Sequence, residues 1–241
     1  MKNKIRLVII PARLESRRFP NKLIQVIEGK TLLQHSYESA KRSRLADDVI
    51  IAVADKELFD LAQSFGAEAL IVDDDNIVNG TERVAIAAKM LGLEGRDILI
   101  NCQADTFGED VGMVIDDLIE EVQINKVGMF TPTMLLKPQD FVNNNVVKVN
   151  NNNNTFSRKI EYKKHIGIYA AKKKYFSTYL KKPETYLEVE QRLEQLRFFL
   201  FTTISFKEYN KFLKVHDINV PEDILVYNHY KKIKASGVSG T

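Results

Sequence analysis

Arg13, Arg18 and Lys22 share the short segment Pro11-Ala12-Arg13-Leu14-Glu15-Ser16-Arg17-Arg18-Phe19-Pro20-Asn21-Lys22, which follows the first β-branched run of the chain. The segment contains neither Gly-x-Gly-x-x-Gly nor Gly-Lys-Ser/Thr, so dinucleotide binding of the Rossmann type and a Walker phosphate loop are both disfavoured. Three cations on one loop instead suit a triphosphate, because oxygens that gain charge during phosphoryl transfer are stabilised by fixed positive groups. On this reading Lys22 lies nearest the α-phosphate or the leaving pyrophosphate. Arg13 and Arg18 hold the β- and γ-phosphates.

The elements that must position this loop follow from the hydrophobic pattern. Residues 5–10 form a short apolar run closed by Pro11, the pattern of a buried parallel strand. Helical spacing from Leu32 and a β-branched run at 49–53 complete one βαβ unit. The pattern repeats with a helix near 58–65, a strand at 69–72, a helix at 81–91 and a strand at 98–101. The fold class implied is α/β, a doubly wound and mainly parallel sheet with a small mixed β extension. Ligands of such sheets collect beyond the carboxyl ends of the strands, which draws attention to the loops after residues 10, 53, 72 and 101. The second half is less regular. A helix is expected at 113–122, strands at 127–133, 146–149 and 165–170, one long amphipathic helix at 187–200, a strand at 202–206 and a closing helix at 221–232. The asparagine run 150–154 reads as a hairpin tip.

Composition bounds the alternatives. The 241 residues are 44% apolar and 28% charged, an ordinary globular composition, and suffice for a single domain over 1–241 with an irregular portion at about 127–200. With 35 Lys and Arg against 32 Asp and Glu, net charge is +3, and no basic field interleaved with aromatics argues for nucleic acid. The single Cys102 excludes an intramolecular disulfide. No apolar run is long enough to span a bilayer, and a cytoplasmic location is the expectation.

Several motifs in order along the chain carry a family resemblance: Ile10-Pro11-Ala12-Arg13 with Ser16, Arg18-Phe19-Pro20 and Lys22; Asn79-Gly80-Thr81-Glu82-Arg83; Asn101-Cys102-Gln103-Ala104-Asp105; Asn145-Val146-Val147-Lys148-Val149; Phe156-Ser157-Arg158; His165-Ile166-Gly167-Ile168-Tyr169; Leu193-Glu194-Gln195-Leu196-Arg197; and Pro221-Glu222-Asp223. Together they resemble the 3-deoxy-manno-octulosonate cytidylyltransferases, the CMP-Kdo synthetases, and imply a nucleotidyltransferase-like Rossmann variant. The resemblance implies transfer of CMP from CTP to the anomeric hydroxyl of an acidic octulosonic sugar, with Mg2+ as cofactor and a homodimeric assembly. It places Ala12, Arg13, Arg18, Lys22, Gly80, Arg83 and Gln103 at the nucleotide, with Gly80 and Arg83 at the base. Gln103, Arg158, His165, Tyr169, Glu194 and Gln195 fall at the sugar. Lys22, Arg13 and Asp105 are the implied catalytic set. Thr81 and Glu82 read simply as a helix start, a hydroxyl cap with an early acid.

The chain departs from the family pattern at informative places. Asn219 stands where the family has its second metal aspartate, and Asp217, two residues earlier, is the substitute that leaves the metal set as Asp105 with Asp217 or Asn219. Ala104-Asp105-Thr106-Phe107 replaces Gly-Asp-Glu-Pro, Asn21 and Leu23 replace Gly and Pro, Gln191 replaces a glutamate, and the stretch between Arg158 and His165 is short. Two further readings therefore stand beside the first: a cytidylyltransferase for another sugar acid, such as 8-amino-Kdo or a nonulosonic acid, and a CTP-binding protein without catalysis.

Overall fold

The computed structural model describes residues 4–16, 18–72, 76–125, 127–150, 155–157 and 163–235. In chain order, β1 (Arg6–Ala12) leads through a 3₁₀ turn (Lys22–Ile24) to the hairpin β2 (Val26–Ile27) and β3 (Lys30–Thr31). Then come α1 (Leu32–Ala40), β4 (Asp48–Val53), α2 (Lys56–Ser64), β5 (Glu68–Ile71), α3 (Gly80–Met90), β6 (Ile98–Cys102), β7 (Thr106–Phe107), α4 (Val111–Ile124) and β8 (Met129–Leu135). The remainder comprises β9 (Lys148–Asn150), β10 (Thr155–Ser157), β11 (Lys163–His165), β12 (Ile168–Lys172), α5 (Lys173–Tyr179), α6 (Tyr186–Gln191), a 3₁₀ segment (Glu194–Leu200), β13 (Ile204–Glu208), β14 (His216–Asp217) and α7 (Pro221–Ala235).

One large sheet runs in the order β10-β9-β11-β8-β12-β6-β1-β4-β5, with β13 added to β8. The strands β6, β1, β4 and β5 are parallel, as the βαβ pattern requires. From β12 outward the pairings turn antiparallel, and only β13 runs parallel to β8. The alternation of side chains along a strand builds the two layers. Val8 and Ile10 of β1 pack with α1, α2 and α4 on one face. Leu7 and Ile9 pack with α3, α5 and the 3₁₀ segment on the other. Both sets of side chains are buried, which at about 25 cal/mol per Å² is the main stabilising term.

The helices begin where their caps dictate. Thr31 accepts from Gln34 N at the start of α1, and Asn79 accepts from Glu82 N at 2.9 Å at the start of α3. Asp223 accepts from the Asn219 and Val220 amides ahead of Pro221 and so fixes the entry into α7. Gly112 in α4 has no room for a side chain, since a Cβ there would lie 2.6 Å from the Arg42 carbonyl carbon.

The single helix expected over 187–200 is instead two pieces. Arg192 adopts a left-handed conformation (φ 54°) and ends α6, after which 3₁₀ turns run to Leu200. The physical cause is tertiary: Arg197, 2% exposed, turns inward to bond Glu188 at 2.6 and 2.8 Å and Glu82 at 2.6 Å while stacking on Tyr179. A continuous helix would not bring both carboxylates to one guanidinium. The asparagine run joins β9 and β10, which pair antiparallel as a hairpin; residues 151–154 lie outside the described residues.

Candidate active site

A cleft of about 770 Å³ opens beyond the carboxyl ends of β1 and β6, the place the parallel topology designates. Its walls are the loop after β1, the N-terminus of α3, the turn between β6 and β7, β11, the Arg192–Gln195 stretch and β14 with the residues after it. Ala12, Arg13, Arg18 and Lys22, at the end of β1 and in the loop after it, line the cleft, with Arg13 and Arg18 exposed. Lys22 Nζ forms an ion pair with Asp105 Oδ2 and donates to the Ile218 carbonyl at 3.3 Å. Arg18 reaches across to Asn145 Oδ1 at 2.8 Å and Asn219 Oδ1 at 3.0 Å.

The floor is set by close backbone packing. A Cβ at Gly80 would stand 3.1 Å from Pro11 and 3.3 Å from the Gln103 amide, so glycine lets the start of α3 press against β1 and Gln103. Gly167 plays the same part at the kink between β11 and β12: its carbonyl accepts from Gln103 N at 3.0 Å, and a Cβ would lie 3.1 Å from Gln103 Cγ. Arg83 is buried and donates to the Val72 carbonyl while still facing the cleft.

Thr81 and Glu82 do more than begin a helix, which corrects the sequence reading. Asn79 is the cap. The Thr81 hydroxyl donates to Glu194 Oε1 at 3.0 Å and accepts from Asn101 at 3.0 Å, and Glu82 is the second partner of Arg197. Glu194 receives in addition the Thr81 amide at 3.2 Å and Gln103 Nε2 at 2.8 Å. Burial raises the Glu194 carboxyl above its ordinary range, and the Thr81 bonds oppose that rise. Beside it, Gln195 is 2% exposed; its Oε1 accepts from the Tyr169 hydroxyl at 3.3 Å, and its Nε2 has no partner among the described residues.

His165 is buried against Phe156 and Tyr169. The Thr131 hydroxyl donates to the Ile168 carbonyl at 2.8 Å, so its oxygen accepts from His165 Nε2–H at 2.8 Å and the ring is the Nε2–H tautomer. Burial lowers its pKa to about 4, which keeps it neutral near pH 7. Cys102 is buried and its thiol is pushed up to about 12, an inert core group. Arg158 lies outside the described residues.

Asp217 and Asn219 both line the cleft, with different partners. β14 pairs with β7 so that Asp217 stands opposite Thr106, and Ile218 N donates to the Asp105 carbonyl at 3.2 Å. Asp217 thus enters the cleft beside Asp105, accepting from the Thr106 hydroxyl at 2.9 Å and facing Lys164 Nζ at 3.2 Å. The Asn219 oxygen is engaged by Arg18. Among the cleft residues that the sequence reading gave no role are Asn145, Lys164 and Arg192. Asn145 opens a motif already noted and Lys164 immediately precedes His165, but no local spacing signals that either faces the cleft.

A family model described as cytidylyltransferase matches residues 7–205. A 3-deoxy-manno-octulosonate cytidylyltransferase of Chloroherpeton thalassium is 38% identical over 209 residues, covering 79% of this chain and 83% of the relative. An 8-amino-3,8-dideoxy-manno-octulosonate cytidylyltransferase of Shewanella pealeana is 34% identical over 243 aligned residues, covering 91% and 95%. Among solved structures, that of a CMP:2-keto-3-deoxy-manno-octonic acid synthetase complexed with CTP shares the fold, with a TM-score of 0.80 over 98% of this chain and 100% of that one at 24% identity. The chain belongs to the cytidylyltransferase family, and within it to the 3-deoxy-manno-octulosonate cytidylyltransferases.

Proposed function

We propose that this chain transfers CMP from CTP to the anomeric hydroxyl of a Kdo-type 3-deoxy-octulosonic acid and releases pyrophosphate. The observation that carries the reading is the cleft itself, in which the Arg13, Arg18 and Lys22 loop faces two adjacent carboxylates, Asp105 and Asp217. Lys22 stabilises charge on the α-phosphate and leaving group, and Arg13 and Arg18 hold the β- and γ-phosphates. Gly80 and Arg83 lie where the base is read, and Ala12 offers backbone beside them. Gln103, His165, Tyr169, Glu194, Gln195 and Arg158 are assigned to the sugar.

The donor set suits magnesium: two carboxylates on neighbouring backbone segments supply hard oxygens, one or two of which suffice for an ion that also takes phosphate oxygens and water. Asp105 and Asp217 would hold the ion, with Asn219 left to Arg18. Bound there, Mg2+ supplies charge neutralisation and orientation for the phosphate and the attacking oxygen.

The test is pyrophosphate release from purified protein with CTP and Mg2+, with and without Kdo, and with UTP and ATP as controls. Release that needs both CTP and Kdo supports the reading; CTP binding without release on any sugar acid would sink it. A second substrate, 8-amino-Kdo, is favoured by the near full-length similarity to the Shewanella pealeana relative, and side-by-side kcat/KM decides between the two. We infer a homodimer located in the cytoplasm, where CTP is available. The segment from α6 to Leu200 exposes Leu187, Val189, Phe199 and Leu200, apolar surface that suits burial against a second copy. Light scattering at the monomer mass would overturn the dimer. Among the described residues no helix is long and apolar enough to cross a membrane.

A further inference from the structure

Three of the cleft's described cations are assigned to phosphate and one to the base. Arg13, Arg18 and Lys22 share the loop after β1, and Arg83 is buried against the Val72 carbonyl. Across the cleft stand Lys164 on β11 and Arg192 at the break after α6. Arg192 is exposed, whereas the Lys164 side chain is 13% exposed and held 3.2 Å from Asp217 Oδ2. Asp217 is itself fixed by the Thr106 hydroxyl and by the pairing of β14 with β7. Two ion pairs, Lys22–Asp105 and Lys164–Asp217, therefore lie on adjoining backbone segments. Asp140 and Asp223 are the further acids that face Lys164, and Lys137 is the like charge near it.

The chemistry of the acceptor gives this cation a task. In a 3-deoxy-2-ulosonic acid the carboxylate and the attacking hydroxyl are bonded to the same carbon. When the hydroxyl reaches the α-phosphorus, the carboxylate must come to rest at the reacting centre rather than at the far end of the sugar. On the proposed reaction that place also takes the α-phosphate beside two aspartates, whose charge the magnesium ion and Lys22 meet, so the carboxylate needs a cation of its own. Lys22 is matched to the phosphate. We propose that Lys164 receives the sugar's carboxylate and thereby selects acidic over neutral acceptors, with Asp217 holding its ammonium in place. The inference rests on the reaction proposed above.

The test compares Kdo with its C1 carboxamide, the same sugar without the charge, by kcat/KM for pyrophosphate release in the wild type, Lys164→Gln, Lys164→Met and Lys164→Arg. The ratio between two substrates on one protein is independent of the fraction that folds. The wild type should prefer the acid by about 100-fold, and Lys164→Gln and Lys164→Met should shrink that preference by about 10-fold or more while KM for CTP moves no more than about threefold. Lys164→Arg should recover most of the preference. An acid-to-amide ratio unchanged in the neutral variants, with equal losses on both sugars, would show a purely structural lysine and overturn the inference alone. A wild type that turns over no sugar acid would instead overturn the reaction on which it rests.

Discussion

In the reaction proposed here the chemistry concentrates on Lys22, whose ammonium is paired with Asp105. Lys22→Ala should lower kcat by about 10²–10³ with CTP affinity far less affected, the effect of removing one preorganised donor; full turnover in that variant, measured by pyrophosphate release, would remove Lys22 from the mechanism. His165 supplies a prediction in pH. Its folded pKa is lowered to about 4 from an ordinary value near 6.5, so the unfolded chain binds the proton first. Its contribution to stability is intact above about pH 6.5 and is lost as pH falls toward 4, at up to about 1.4 kcal/mol per pH unit. His165→Gln should flatten the slope of urea-unfolding stability over that window. The cationic loop was readable because its three members lie within one short segment. Lys164 and Asn145 were not, since their cleft partners Asp217 and Arg18 are distant in sequence and nothing local marks the encounter.

At the scale of elements, caps and hydrophobic period decided most of what formed. The helices from Leu32, from Gly80 and from Pro221 start beside a side-chain cap or a proline that the residue types announce. The failure over 187–200 has an energetic reason. A local helical preference of a few tenths of a kcal/mol per residue competes with a buried guanidinium that must meet Glu188 and Glu82, and the second requirement is larger. Arg197→Leu should therefore cost about 3–5 kcal/mol, because it leaves Glu188, 4% exposed, buried without its cation. The paired change Arg197→Leu with Glu188→Gln should cost less than the sum of the two single changes. Thermal unfolding of the four proteins gives the coupling directly, and strict additivity would mean that the network does not bend this segment.

At the scale of the whole molecule, Arg18 joins the loop after β1 to Asn145 and Asn219, segments on the opposite side of the cleft. A triphosphate that engages Arg18 and Lys22 ties the same walls together through the ligand. CTP at 100 times its Kd should add about 2.7 kcal/mol to stability, a rise of roughly 5–10 °C in Tm for a chain of this size. UTP at the same concentration should add less, and equal shifts would mean that the base is not read at Gly80 and Arg83. The sequence by itself determined the α/β class, the parallel run of β1, β4, β5 and β6, the cationic loop at their carboxyl ends and the family, because each of these is written in local period, local caps or contiguous motifs. Only the tertiary structure decided that Asp217 meets Thr106 and Lys164 while Asn219 meets Arg18, that Thr81 and Glu82 serve long-range bonds, and that Lys164 enters the cleft. Those outcomes depend on strand register and on buried charges finding partners far along the chain, and neither is encoded by any single stretch of residues.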